Sequence, residues 1–374
     1  MRAGTAMLAA ILVSAALVCG CGGSGGGGST PPTQNQTAPP SVTTFTNAAL
    51  QNGAVMAALG FSTPGSVIHY TLDGSAPTAS SQIYDAPFLV ASNLTVKAIA
   101  IAPGDTASTV TSQSFTPAIA SGALVWSEDF NNATASNALP NSAFWTYDTG
   151  TNCCGNNELE TYCAAGASAA PCDPANPNAY ADTAGILHIV ARKPTAAAVY
   201  TSARLKSQGL FSFQYGRIEA RMKLPEGQGM WPAFWLLGDN ITAISWPACG
   251  ELDVMEHING SNPQNEGFDW VAGSIHGTNL NGTAQFHPAG FSAADWHTYG
   301  MIWTKGQIQF YVDAPANVYA TYTPSTQAGI WPFDDGPQFI ILNLAVGGDW
   351  PGPPDATTIF PSEVLVDYVH VYAN

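Results

Sequence analysis

The chain has 374 residues, enough for two domains, and carries only 10 Lys and Arg against 26 Asp and Glu, a formal charge of −16. A surface so short of cations cannot neutralise phosphates, which argues against a nucleic-acid partner. Its 10 Trp, 13 Tyr, 37 Gly and 27 Pro suit an exported all-β protein better than a helical one.

Residues 1–21, MRAGTAMLAAILVSAALVCGC, hold one Arg, an apolar run from Ala6 to Val18 and then small residues. The run is too short and wrongly flanked for a membrane span and reads as an export signal. Its end, Val18-Cys19-Gly20-Cys21, resembles a bacterial lipobox. The resemblance implies that Cys21 carries a lipid anchor and that the protein sits in the bacterial cell envelope, with Gly22 favouring the outer membrane or cell surface. Residues 22–41 are Gly, Ser, Pro and Thr with no hydrophobic period and are expected to be a flexible tether.

Residues 42–118 contain short β-rich runs split by turn signals, such as Ile68 to Leu72 leading into Asp73-Gly74, and Leu94 to Ile101. The spacing predicts a small immunoglobulin-like β-sandwich. The stretch YTLDGSAPTASSQIYDAPF also resembles the chitobiase/β-hexosaminidase C-terminal-type module, which implies an accessory domain, either a sugar binder or a spacer. It holds none of the candidate catalytic groups, so its removal is expected to leave turnover on soluble substrate intact.

Residues 122–374 present strand candidates one after another: GILHIVARK, GRIEARMKL, MWPAFWLLG, GELDVMEHI, WVAGSIHG, HTYGMIWTKGQIQFYVDA, QFIILNLAVGG and VLVDYVHVY. No long 3.6-period segment separates them, so the prediction is one large β-sandwich rather than βαβ units. There is no GxGxxG opening a helix, no P-loop, no HExxH and no GxSxG.

GELDVMEHI places Glu251, Asp253 and Glu256 at spacings of two and three residues. Strict alternation would put Glu251 and Asp253 on one face and send Glu256 into the core with Leu252 and Val254, and an unpaired buried carboxylate is costly. A β-bulge at Val254-Met255, with Met255 as the inserted residue, would place both hydrophobes on the core side and return Glu256 to the acid face. Carboxyls so crowded raise at least one pKa, an arrangement with no packing benefit. Two carboxyls facing a cleft are what glycoside hydrolysis needs, and two on one strand fit the close pair of a retaining enzyme, roughly 5–5.5 Å apart.

GELDVMEHI resembles the active-site strand of glycoside hydrolase family 16 in its bulged ExDxxE form, whereas the unbulged ExDxE form is that of the β-1,3-1,4-specific members. GNNELETY, YTSARLKSQG, YGRIEARMKLPEGQGMWPAFWLLG, ILNLAVGG and VDYVHVY resemble, in the same order, its laminarinase-type members, the endo-β-1,3-glucanases. The resemblance implies a β-jelly roll and hydrolysis of β-1,3-glucan by double displacement. It assigns Glu251 as nucleophile, Glu256 as acid/base and Asp253 as the assisting acid. It places Trp231, Trp235, His276, Asn343, Asn156, Asn157 and Glu158 at the substrate, and Arg217 either there or paired with an acid. No cofactor is expected for catalysis, while Asp129 and Asp367 stand where many members hold a structural calcium, though in WSEDF the acid pair is reversed. A β-glucan transglycosylase, a non-catalytic glucan-binding protein, or a hydrolase of β-1,3-1,4-glucan or a marine galactan are the alternative readings. A monomer is expected.

Of Cys153, Cys154, Cys163, Cys172 and Cys249, the pair Cys163 and Cys172 brackets a short Gly/Ala/Pro loop and is the preferred disulfide. Five cysteines leave at least one without a partner inside the domain.

Overall fold

A computed structural model describes residues 34–131, 137–151, 154–193, 199–259 and 267–374. Almost all regular structure in it is β-strand, as the composition predicts, and the single helix is one turn, Ile241–Ile244. The signal segment and residues 22–33 of the tether lie outside the described residues. The last part of the tether is built into the fold. Thr37 is buried, and its hydroxyl accepts a bond from Ala102 N at 2.9 Å.

The N-terminal unit packs a three-stranded sheet (Ser41–Phe45, Val55–Gly60, Phe88–Val90) on a four-stranded one (Gln82–Ile83, Val67–Thr71, Leu94–Ile101, Thr111–Phe115). Alternate residues of these strands, among them Ile68, Tyr70, Val96, Ala98 and Ala100, form its own core. The sequence treats this unit as separate, but Met56 and Leu89 on its opposite face join the larger core beside Trp126 and Phe211. Main-chain bonds cross the junction as well: Gln51 N to Val125 O at 3.1 Å, Ser127 N to Ala49 O at 3.0 Å and Leu89 N to Ser212 O at 2.8 Å. Burying both apolar surface and paired backbone groups is what fixes two units against each other.

The large unit is a jelly roll of two antiparallel sheets. Its outer sheet has eight strands, centred on Ser362–Tyr372 between Leu187–Ala191 and Gly216–Lys223. The cleft sheet has seven, in the order Leu280–Phe286, Val271–Gly277, Glu251–Glu256, Met230–Gly238, Gln338–Val346, Arg204–Lys206, Thr146–Asp148. Alternation sorts each strand. Phe234, Leu236, Leu252, Ile340 and Leu342 go inward against Ile218, Met301, Val369 and Val371 of the outer sheet. The other face of the cleft sheet is left for chemistry.

Several acids are buried in this frame. Burial pushes Glu128 up to about 7 and Asp239 up to about 8, and burial together with its neighbour Glu158 pushes Glu160 up to about 8. A raised carboxyl holds its proton more tightly when folded, so its favourable contribution is lost as pH climbs from its ordinary value to the shifted one. Glu363, lowered by its bond from His188, acts oppositely and loses its contribution in acid. The melting temperature is therefore expected to peak near about pH 5 and to drop by several degrees by about pH 8. Calorimetry across that range checks the sign, and a curve that rises from pH 5 to 8 would refute it.

Candidate active site

The bulge forms where the spacing of the acids requires it. On the Met230–Gly238 side, Ala233 pairs with Glu256, Phe234 with Met255 and Trp235 with Asp253, so the extra residue is Val254 and not, as the sequence suggests, Met255, which keeps a cross-strand partner. On the other side Asp253 pairs with Ser274 and Glu256 with Ala272, two residues of one strand against one of its neighbour. Val254 and Met255 are both buried in the core, 2% and 0% exposed. Glu251, Asp253 and Glu256 consequently all reach one groove of about 630 Å³ on the cleft face.

Each acid has a distinct surrounding. Asp253, 2% exposed, is wedged between the glutamates. Burial, then the charges of Glu251 and Glu256 and a bond shared with Glu251, hold its carboxyl well above the usual range. Glu256 is pushed up to about 7 by burial and by Glu251, against the opposing bond from Trp231 Nε1 at 3.0 Å. Glu251 accepts a 2.5 Å bond from Trp246 Nε1. His276, opposite Glu251 in register, has Nε2 3.1 Å from Asp253 Oδ2 and Nδ1 2.8 Å from Asn281 Oδ1. Among the described residues, Glu251, Asp253 and His276 are also the one set with metal-ligand spacing, their ligand atoms within 4.8 Å of one another.

Most of the expected substrate residues converge here. Trp231 and Trp235 alternate onto the groove from one strand. Trp235 donates to Asn343 Oδ1 at 2.8 Å, and the Arg204 guanidinium lies 4.5 Å from its ring centre. Asn343 donates in turn to the Tyr162 hydroxyl at 3.2 Å, which donates to Glu158 at 3.0 Å. Asn156 reaches Glu158 at 3.4 Å, and both line the groove. Asn157 does not line the groove. Exposed and in a left-handed conformation, it turns aside and holds Asp349 at 2.9 Å.

Arg217 must be corrected. It lies on the outer sheet, bonded to Glu219 and the Tyr311 hydroxyl and stacked 3.6 Å from the centre of the Tyr372 ring. Its strand pairs with Ser362–Tyr372 and not with the cleft sheet, so it serves an ion pair and not the groove.

The two acids named for calcium are committed elsewhere. Asp129 Oδ1 is 2.7 Å from His370 Nε2, and Asp367 accepts from Arg221 at 2.6 Å. A guanidinium beside Asp367 disfavours a dication, so the donor set as arranged does not fit calcium.

Sequence reasoning missed Trp246, Ile241 and Trp350 on the groove wall. None lies on a strand, so no alternation marks them, although the Trp246-Pro247 step five residues before Glu251 is visible in the sequence. The predicted Cys163–Cys172 disulfide is present, Cys154 is also disulfide-bonded and Cys249 is free and buried. Cys153 lies outside the described residues.

A β-sandwich whose open face carries grouped carboxyls beneath tryptophans defines a glycoside-cleaving protein. The comparisons with known proteins agree. Residues 173–369 match the sequence profile of glycosyl hydrolases family 16, and residues 58–115 match the one described as Fn3 associated. The chain is 40% identical over 209 residues to a β-glucanase of Rhodothermus marinus, covering 50% of this chain and 68% of that protein. It is 38% identical over 190 residues to a keratan-sulfate endo-1,4-β-galactosidase of Sphingobacterium multivorum, covering 49% of this chain and 42% of that one. Among solved structures, the laminarinase catalytic domain of Thermotoga maritima superposes with a TM-score of 0.58 at 33% identity, covering 68% of this chain and 99% of that domain. The chain belongs to glycosyl hydrolases family 16.

The raised carboxyl of Glu256 makes the alkaline side of the activity profile predictable. If Glu256 must be protonated to work, kcat/KM falls as pH rises through about 7, and Glu256→Gln loses that limb. A flat profile from pH 6 to 9 would detach the reaction from Glu256.

Proposed function

We propose that the chain is an endo-acting hydrolase of β-1,3-glucan that works with retention of configuration, as a monomer. One observation carries this most: the bulge that brings Glu251 and Glu256 onto one groove, on either side of a buried Asp253. In this reading Glu251 attacks the anomeric carbon while Glu256, neutral in its buried setting, gives its proton to the leaving oxygen. Burial and the charge of Glu251 hold that proton on Glu256 until it is needed. Once Glu251 is esterified its charge is gone, Glu256 ionises more readily, and it can take a proton from water. Asp253, held by His276, shares a bond with Glu251 and orients it. Trp231 and Trp235 offer flat apolar faces to the sugar rings, while Asn343, Asn156 and Glu158 offer hydrogen bonds.

The preference for β-1,3 linkages rests on the bulged spacing and on relatives named as β-glucanase and laminarinase. The galactosidase relative shows how far substrates diverge at similar identity. A panel of laminarin, lichenan, agarose and carrageenan with the wild-type chain tests the assignment. Reducing ends should appear first and fastest from laminarin. Faster release from agarose or carrageenan would overturn the glucan assignment, and product lengthening without net release would indicate transfer to sugar.

Two further parts belong to the same proposal. Residues 42–118 are taken as a chitobiase-type accessory module, and Cys21 as the lipid anchor that tethers the enzyme to the envelope. Cys21→Ser should move the protein from the membrane fraction to the soluble one, and unchanged fractionation would dismiss the anchor.

A further inference from the structure

The segment from Asp239 to Gly250 links the Met230–Gly238 strand to the Glu251–Glu256 strand and touches both units of the molecule. Its single helical turn is a partition. Ile241 and Trp246 face the catalytic groove, while Asn240, Ala243 and Ile244 face a second cavity of about 710 Å³, closed on its far side by Tyr70, Gln82 and Ile83 of the N-terminal sandwich.

Two side chains of the sandwich grip that turn. Gln82 Oε1 accepts a bond from Asn240 Nδ2 at 2.9 Å, and Asp85 Oδ2 accepts one from Thr242 Oγ1 at 2.8 Å. Gly336 leaves the room that Gln82 occupies, since a Cβ added there would come within 2.6 Å of Gln82 Nε2. From the turn, main-chain bonds run onward: Ile244 N to Asn240 O at 3.1 Å, Ser245 N to Ile241 O at 2.9 Å and Cys249 N to Ser245 O at 3.1 Å. Trp246 sits in the middle of this chain of bonds. It is 58% exposed, so packing does little to fix it, and its indole nevertheless donates to Glu251 at 2.5 Å. Its position is thus set by the backbone on which it rides.

We propose that Gln82 and Asp85 of the N-terminal sandwich are positioning residues for the reaction: by clamping the 240–244 turn they hold Trp246 against Glu251. The proposal rests on Glu251 being the nucleophile. It also reverses the expectation from sequence that the module is dispensable for turnover on soluble substrate. A module can lack every catalytic group and still decide where one points, and small displacements of a nucleophile carry large penalties in rate.

The test uses the full-length chain. Gln82→Met and Thr242→Val remove one hydrogen-bonding partner each at similar size, and Thr242→Ser keeps the hydroxyl. The readouts are kcat and KM on the glucan that the wild type degrades, and the indole ¹H–¹⁵N resonance of Trp246, assigned by its loss in Trp246→Phe. The Gln82→Met/Thr242→Val variant should lose roughly tenfold in kcat with KM within about twofold, and the indole resonance should move towards that of an unbonded indole. Thr242→Ser should stay near wild type. In a Trp246→Phe background the same two substitutions should cost nothing further, because the contact they support is already gone. Wild-type kcat with an unmoved resonance would overturn the proposal, as would losses that simply add to that of Trp246→Phe. The spectrum is read without substrate, so a moved resonance in a chain inert on every glucan would overturn the role of Glu251 and leave the mechanical link intact.

Discussion

Glu251→Gln should lower turnover by on the order of 10⁴-fold or more, while leaving the fold in place. The substitution keeps size and shape but removes the charge that attacks the anomeric carbon. The side chain is only partly buried, so its loss costs little packing. Glu256→Gln separates the two roles. On natural glucan it should fail nearly as badly, because the leaving oxygen has no proton to take. On an aryl glucoside with a good leaving group it should still be glycosylated and then stall, since nothing activates water. Azide needs no such activation and should restore turnover, giving a β-glycosyl azide. Burst kinetics with a dinitrophenyl glucoside, followed by NMR of the azide adduct, check both steps. An α-azide would contradict the acid/base role of Glu256, and no rescue at any azide concentration would remove its support.

Deleting Val254 should cost about a hundredfold in kcat/KM on laminarin and raise the ratio of lichenan to laminarin activity. Val254 is the residue without a partner on the Met230–Gly238 side, and with Met255 it faces Gly273 alone on the other. Removing it restores strict alternation, so Glu256 stays on the groove face but loses the extra twist that a bulge gives its strand. Its bond from Trp231, 3.0 Å in the native arrangement, would then no longer be aligned. The spacing becomes ExDxE, the form that resembles the β-1,3-1,4-specific members of the family. The core loses one buried side chain, so the melting temperature should fall too, and both quantities should be measured on the same preparation. Full laminarin activity with an unchanged substrate ratio would make the bulge incidental.

The acids were legible in the sequence because alternation is a strong rule and three residues broke it in a way that only a bulge repairs. Trp231 and Trp235 were legible for the same reason, being two positions apart from Ala233 on a strand whose other face is core. Arg217 was not. Alternation says that Arg217, Glu219 and Arg221 share a face, but it does not say to which sheet the strand belongs, and pairing with Ser362–Tyr372 put it on the outer one. Trp246 and Trp350 come from connecting segments, where no period operates, so only the folded chain brings them to the groove. The docking of the N-terminal unit was illegible for a related reason. Met56 and Leu89 look like ordinary strand residues of a small sandwich, and nothing local marks them as belonging to a second core. Asp129 and Asp367 were placed by resemblance, and long-range partners, His370 and Arg221, took them.

Glu251 and Glu256 acting as nucleophile and acid/base in a double displacement fix the stereochemistry of the product. The most direct measurement is the anomeric configuration of the first product, followed by ¹H NMR as wild-type enzyme cleaves laminarin, before mutarotation sets in. Retention predicts that the β-anomer of the new reducing end appears first and the α-anomer only later. An α-anomer at the earliest time point would mean a single displacement and would contradict the roles given to both glutamates.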